Sequence, residues 1–377
     1  QNNFSLNLWQ YPYTSARYYN LEPFSKEHQK VVENHLRCYY ESGGRTLTTT
    51  IVHDPWNHQT FDPYPSMVKW THLGNNKFSF NYDEFDQYIR IAKRIGEFDE
   101  IYCFSLLPWD NRIFYFENEK FIEEKLTVGS KRWTSIWSQF LISFKNHVEK
   151  QGIFEKVLIA VDEREESEML HAIKLIKEYE PSFRIHAALN YSSTNPEIID
   201  SVDDLSIDMA QLDENIHEVI ESRKAKGLKT TMYTCAGDYP NSHAFSHPLE
   251  TDWTIFYAFA LGFDGYMRWA LDAWVENPLI DLSHWYWESG DPFLIYPSQD
   301  KQVQKSIRYL HLENAIQKVR LLDEVDRAYL AKSLTMPQHR IDAYNVKVAL
   351  DEKEQDNTIN DVKNTYKYIH SKYFKMV

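Results

Sequence analysis

The 377-residue chain carries 55 acidic against 41 basic side chains, a formal charge of −14. That balance argues against nucleic acid and anionic membrane surfaces as partners, since both need clustered Lys and Arg, and it leaves neutral or cationic substrates. No apolar run reaches the roughly 18 residues that read as a membrane span, and the length allows one large core without disulfide staples.

Phe4 to Tyr11 alternates apolar and polar residues as a strand does. After a turn at Pro12, Ser25 caps a helix with Val32, Leu36 and Tyr39 inward, stopped by Gly43-Gly44. A β-branched strand over 47–52 opens into an irregular loop from His53 to about Lys77. A helix over 83–95, a strand over 101–106 and a second long loop from Leu107 follow. The helix over 131–150 leads to Lys156-Val-Leu-Ile-Ala-Val-Asp-Glu163, an uninterrupted apolar strand ending in two carboxylates. The helix after it carries Met169, Ile173 and Ile176. Strands at 184–189 and 205–210 are joined by a short helical turn near Glu197, and a helix over 213–226 precedes the strand at 228–235. A helix over 250–261 precedes the eighth strand, 265–271. After an aromatic loop, 274–296, a helix beginning near Asp300 is expected to turn Val303, Ile307 and Leu310 inward.

Glycines 43, 96, 152, 227 and 262 each follow a predicted helix and precede a strand, where a left-handed residue turns the chain back. Eight such units predict a (β/α)8 TIM barrel in the α/β class, with an open doubly wound sheet as the alternative. Residues 1–320 form the expected barrel and 321–377 a C-terminal helical extension packed on it. The part from about 336 onward, including Asp351 to Asp356, is expected to be helical with a solvated face.

The three cysteines, Cys38, Cys103 and Cys235, are far apart and read as core thiols. The first residues contain neither a basic n-region nor an apolar h-region. The chain therefore reads as a mature form or a fragment, expected in a secreted or periplasmic setting over a cytoplasmic one. Aromatic residues reach 15%, with 11 Trp and 25 Tyr, a surplus suited to a cleft that stacks sugar rings.

Asp162 and Glu163 stand at the carboxyl end of the fourth strand, where barrels build active sites. Neighbours on a strand point to opposite faces, so a common function requires the strand to break there. Glycosidases with two acting carboxyls hold them about 5–10 Å apart. An adjacent pair suits a substrate-assisted route instead: a 2-acetamido oxygen attacks, one acid orients the acetamide and the other protonates the leaving oxygen. Trp56, Trp70, Trp109, Trp269 and Trp274 follow strand ends and are candidate stacking platforms. Asn190, Tyr191, Asp208 and Tyr233 are candidate hydrogen-bonding groups, and Arg268 is expected to pair with Asp162 or Asp272. A metal site would rest on His53, Asp54 and His58, or on His243 and His247; neither set has strong ligand spacing, and no metal or other cofactor is expected.

Phe4-Ser-Leu-Asn-Leu-Trp-Gln-Tyr-Pro12, Ala16-Arg-Tyr-Tyr19, Asp54-Pro-Trp56, Ser66-Met-Val-Lys-Trp70, Asp83-Glu-Phe-Asp86, Val161-Asp-Glu163, Tyr233-Thr-Cys235, Pro240-Asn241, Arg268-Trp-Ala270 and Gly290-Asp-Pro-Phe-Leu-Ile-Tyr-Pro297 lie in collinear order. Together they resemble the catalytic domain of glycoside hydrolase family 123. The resemblance implies a (β/α)8 retaining exo-β-N-acetylgalactosaminidase that needs no metal, acts through an oxazolinium intermediate and releases terminal β-linked GalNAc from glycans. It assigns Asp162 to the acetamido group and Glu163 to general acid and base. Arg164 stands where the family pattern has Pro, and the β-sandwich domain that commonly precedes the barrel is absent from this chain. A non-catalytic glycan-binding barrel and a β-N-acetylhexosaminidase of broader specificity are the alternatives.

Overall fold

The computed structural model describes residues 2–193, 195–335 and 352–375. Eight strands run parallel: β1 (Ser5–Leu8), β2 (Thr46–Thr50), β3 (Glu100–Phe104), β4 (Val157–Asp162), β5 (Arg184–Leu189), β6 (Asp204–Asp208), β7 (Lys229–Tyr233) and β8 (Gly265–Arg268). Neighbours in sequence are neighbours in space from β2 through β8, and β8 pairs with β1 in register Leu8 to Arg268. The remaining seam, β1 against β2, has one parallel bridge at Leu6 and Gly44. Side chains stitch it: Gln10 Oε1 accepts from Thr48 N at 2.9 Å, and the Tyr39 hydroxyl donates to Thr46 O at 2.9 Å. The result is a nearly closed (β/α)8 barrel, as the alternation of elements predicts.

Burial explains the continuous apolar runs. Every residue of β4 is buried, because inward side chains fill the barrel and outward ones meet the helical ring. Ser25 and Ser130 cap their helices by accepting from His28 N and Trp133 N. Gly43, Gly152, Gly227 and Gly262 adopt positive φ as predicted. Gly96 does not: its φ of 169° is extended, and a Cβ there would stand 2.4 Å from Tyr40 Cζ, so close approach is what requires glycine.

Three expectations are corrected. The two long loops contain strands Lys69–His72, Phe78–Asn81, Arg112–Glu117 and Lys120–Lys125, which form a four-stranded sheet beside the barrel mouth. The alternation Arg112-Ile-Phe-Tyr-Phe-Glu117 and the turn at Asn118-Glu119, both at positive φ, are a hairpin signal in retrospect. Pro12 opens a short helix, Pro12–Tyr18, where a turn is predicted. The helix expected near Asp300 starts at Ile307 behind the Ser306 cap and buries Tyr309, Leu312 and Ile316, leaving Ile307 and Leu310 exposed. A cap shifted by six residues rotates the inward face.

Helices Glu324–Ser333 and Glu352–Tyr373 pack against Leu249–Ala260. Tyr366 bonds Asp252, and Asp326 accepts from Tyr368 and Lys372. Residues 336–351, part of the predicted tail, lie outside the described residues. Among the described residues no helix is long and apolar enough to cross a membrane.

Candidate active site

At the carboxyl ends of the strands a cavity of about 350 Å³ is lined by Trp9, Trp109, Asp162, Glu163, Asn190, Asp208, Tyr233 and Trp269, among others. A larger cavity, about 810 Å³, opens at the opposite end around Arg45, Lys229 and Arg320. Its acids, Asp99 and Glu100, stand at the amino end of β3, where Glu100 pairs with Lys229 at 2.9 Å, and barrel enzymes place chemistry at the carboxyl ends, so the smaller cavity is the candidate site.

Backbone geometry resolves the awkward adjacency of the two acids. Asp162 ends β4 opposite Ala188, and the Glu163 amide donates to Ala188 O at 2.8 Å. Glu163 itself takes φ +51°, a left-handed conformation that is uncommon for a non-glycine residue and concentrated at functional sites. That twist breaks the pleat, so consecutive side chains face one mouth.

Burial pushes both carboxyls upward. Asp162, 7% exposed, is raised by burial and by the Glu163 charge, while the Trp56 indole and Arg164 oppose the shift. Glu163 is raised to about 7, chiefly by burial and also by Asp208, against a hydrogen bond from Tyr233. The Tyr233 hydroxyl donates to Glu163 Oε1 at 2.7 Å. Two neighbouring acids with raised affinity for protons titrate as a pair.

Trp109 lines the cavity and donates its indole N–H to Asp162 O at 2.8 Å. Asn190 and Trp269 also line it. Trp56 stands one layer back, its ring 5.3 Å from that of Trp9, so Trp9 forms the wall expected of Trp56. Asp208 faces the cavity with both oxygens engaged: Oδ1 accepts from Ala210 N, and Oδ2 lies 3.4 Å from Cys235 Sγ.

Other assignments are overturned. Tyr191 points away from the cavity and donates to Arg164 O at 2.9 Å, because the chain after β5 alternates sides and Asn190 takes the inward position. Trp274 is fully buried, donates to Ile295 O, and packs on Tyr18 and His35; its loop folds back over the barrel flank. Trp70 belongs to the added sheet and stacks on Phe140 at 5.4 Å. Arg268 pairs with Asp291 at 2.7 Å instead of Asp162 or Asp272, both partners being fully buried. Asp291 also accepts from Trp269 Nε1 at 2.9 Å, so this pair holds the Trp269 ring in the cavity wall. Asp272 instead accepts from Tyr11 N and pairs with His35.

Neither predicted histidine set converges. His53 packs between Phe114 and Phe121 while Asp54 caps His58 N, and His247 accepts from Leu249 N while His243 bonds Ala236 O. Among the described residues Asp208, Cys235 and Asp238 do bring ligand atoms within 4.8 Å. Cys235, read as a core thiol, lines the cavity; its Sγ approaches Asp208, its amide donates to Asp238, and burial keeps the thiol protonated. Trp9, Gln59, Gln211, Tyr286 and Trp287 also line the cavity and were not anticipated. Trp9 immediately follows β1, so the strand-end rule that selected Trp109 would have found it.

The family model for the catalytic domain of glycoside hydrolase 123 matches residues 9–325. A family 123 glycoside hydrolase from Clostridium perfringens, whose structural analysis addressed glycolipid glycan hydrolysis, is 36% identical, with a TM-score of 0.91 over 98% of this chain and 69% of its own. The endo-β1,6-glucanase BT3312 shares the fold at 9% identity, with a TM-score of 0.51 over 83% of this chain and 75% of its own. No curated protein matches significantly. With motifs, barrel and the structural match over 98% of the chain in agreement, the chain belongs to glycoside hydrolase family 123 and is a glycosidase.

Proposed function

We propose that the protein is a retaining exo-β-N-acetylgalactosaminidase that cleaves terminal β-linked GalNAc by substrate-assisted catalysis. The observation that carries this reading is the left-handed turn at Glu163, which delivers two adjacent carboxyls to one cavity. Neighbouring side chains on one wall are poorly placed to attack a sugar from one face and protonate from the other. They are well placed for a substrate that brings its own nucleophile.

In this mechanism Asp162 accepts the acetamide N–H and holds the carbonyl oxygen against C1. As that oxygen attacks, negative charge on Asp162 stabilises the oxazolinium, and Glu163 transfers its proton to the departing oxygen. Glu163 then removes a proton from water, which opens the oxazolinium at C1 with net retention. The raised affinity of Glu163 for its proton suits the first step near neutral pH. Trp9, Trp109 and Trp269 offer the ring surface on which a pyranose packs. Asp208 is a weaker candidate for Asp162's role because both its oxygens are already engaged.

The test is hydrolysis of an aryl β-GalNAc by wild type, Asp162→Asn and Glu163→Gln. Each substitution is expected to lower kcat/KM about 10²- to 10⁴-fold, and the matching β-galactoside, with 2-hydroxyl in place of 2-acetamido, is expected to be inert. Full activity in both variants, or turnover of the galactoside at a comparable rate, rejects the mechanism.

A further inference from the structure

The cavity at the amino ends of the strands, about 810 Å³, takes no part in the proposed reaction, and its charge runs against that of the chain. Arg45, Lys229, Lys318 and Arg320 line it against two acids, Asp99 and Glu100, in a protein of formal charge −14. Glu100 is engaged by Lys229 at 2.9 Å, and Asp204 approaches the same ammonium at 3.7 Å. Among the described residues no carboxylate stands within 4.0 Å of Arg45, Lys318 or Arg320. Asp99 is exposed.

Backbone carbonyls fix the two guanidinium groups and leave part of each unused. Arg45 lies over the Tyr40 ring at 3.5 Å and donates through Nη1 alone, to Tyr40 O and Gly44 O. Arg320 donates through Nε to Phe4 O and through Nη2 to Gly43 O. Arg45 Nε and Nη2 and Arg320 Nη1 have no hydrogen bond among the described residues, and none of them is sealed from solvent. Consecutive carbonyls thus anchor two cations side by side; burial and then the Arg45 charge lower the Arg320 pKa. The nearby helix end does not consume them, because Asn2 Nδ2 donates to Val319 O and Leu322 O at 2.7 and 2.8 Å. An anion between the two would relieve their repulsion and take up the open donors.

Size and wall chemistry describe the rest of the ligand. A bare tetrahedral ion, a few water volumes, leaves most of the space empty, whereas 810 Å³ suits a small molecule. Asn3, Ser5 and Gln317 supply uncharged polar groups that match hydroxyls. We propose that this cavity binds a sugar phosphate or sugar sulfate, its oxyanion held by Arg45 and Arg320 with Lys318 beside them and its hydroxyls by the polar wall. The site spans the weakest seam of the barrel, where β1 and β2 share one bridge at Leu6 and Gly44. An anion joining Arg45, just before β2, to Arg320, bonded just before β1, clamps that seam and stabilises the fold. None of this depends on the reaction at the other end of the barrel.

The experiment is calorimetric titration of wild type, Lys318→Glu and Arg45→Gln with glucose 6-phosphate, glucose 6-sulfate, glucose and inorganic phosphate, at ionic strength balanced with sodium chloride. At least one ester is expected to bind wild type with a Kd of about 1 mM or tighter, the tighter ester identifying the source of the oxyanion, while glucose does not bind. Each variant is expected to weaken ester binding about tenfold or more, with far-UV circular dichroism unchanged. Lys318 makes no side-chain hydrogen bond among the described residues, so Lys318→Glu tests the charge without the structural bonds that Arg45→Gln removes. Inorganic phosphate binding as tightly as the esters overturns the sugar-ester assignment. Absence of ester binding, or binding unchanged in Lys318→Glu and Arg45→Gln, overturns the site.

Discussion

Replacing Tyr233 with Phe removes one hydroxyl and leaves the ring. That hydroxyl donates to Glu163 Oε1 at 2.7 Å and favours the ionised carboxylate, so it holds the Glu163 pKa below where burial alone would set it. A hydrogen bond to a charged group contributes about 1.5–3 kcal/mol, and 1.36 kcal/mol corresponds to one pKa unit. Partial solvent contact at the mouth argues for the lower half of that range, about one unit. The sign follows from the role: a general acid must be protonated, and raising its pKa keeps it protonated to higher pH. In a kcat/KM profile against pH with a poorly activated phenyl β-GalNAc, the basic limb therefore moves from near 7 upward by about one unit in Tyr233→Phe. The limb reports the free enzyme's acid–base pair, so a change in height alone reflects weaker sugar binding without the hydroxyl. An unmoved limb, or one displaced to lower pH, refutes the assignment of Glu163 as the acid restrained by Tyr233.

The same elevated pKa affects folding. The folded value near 7 lies above the 4.5 of an unperturbed glutamate, so ionised Glu163 opposes folding above pH 7 and this cost vanishes below about pH 4. Glu163→Gln should raise stability by about 1–3 kcal/mol at pH 8 and little at pH 4.5, read as the difference in denaturant midpoint between the two pH values. Trp274→Ala empties a fully buried site and strands the Ile295 carbonyl, with an expected loss of about 3–5 kcal/mol; collapse of sugar binding at unchanged stability would return Trp274 to the cavity. Arg268→Met leaves Asp291 buried without its cation, at a cost of about 3–5 kcal/mol. Crystals of the double variant Arg268→Met/Asp291→Leu should show Trp269 displaced from the cavity wall, and an unmoved ring would reject its positioning by Asp291.

The barrel was legible because local rules repeat eight times. Val157 to Val161 reads as a strand buried on both faces, and glycine after five of the helices marks where the chain returns. Asp162 and Glu163 could be located as a strand end by the same patterns. The left-handed φ that turns both inward could not, because a non-glycine residue adopts it only when surrounding contacts hold it there. The added sheet was hidden for a related reason: its strands Lys69–His72 and Arg112–Glu117 come from different loops and meet only in the folded chain.

Which aromatics serve the cavity was likewise a tertiary decision. Trp56, Trp269 and Trp274 all stand near strand ends, yet one backs the wall, one forms it and one is sealed in the flank. Sequence spacing records where along the chain a side chain leaves the barrel. It does not record which way the loop then folds, and that direction is decided by partners far along the chain: Asp291 for Trp269 and Ile295 for Trp274. The sequence by itself therefore determined the architecture, the strand that ends in the paired acids and the family. Tertiary structure decided which side chains share the cavity, because convergence depends on long-range contacts that no local pattern encodes.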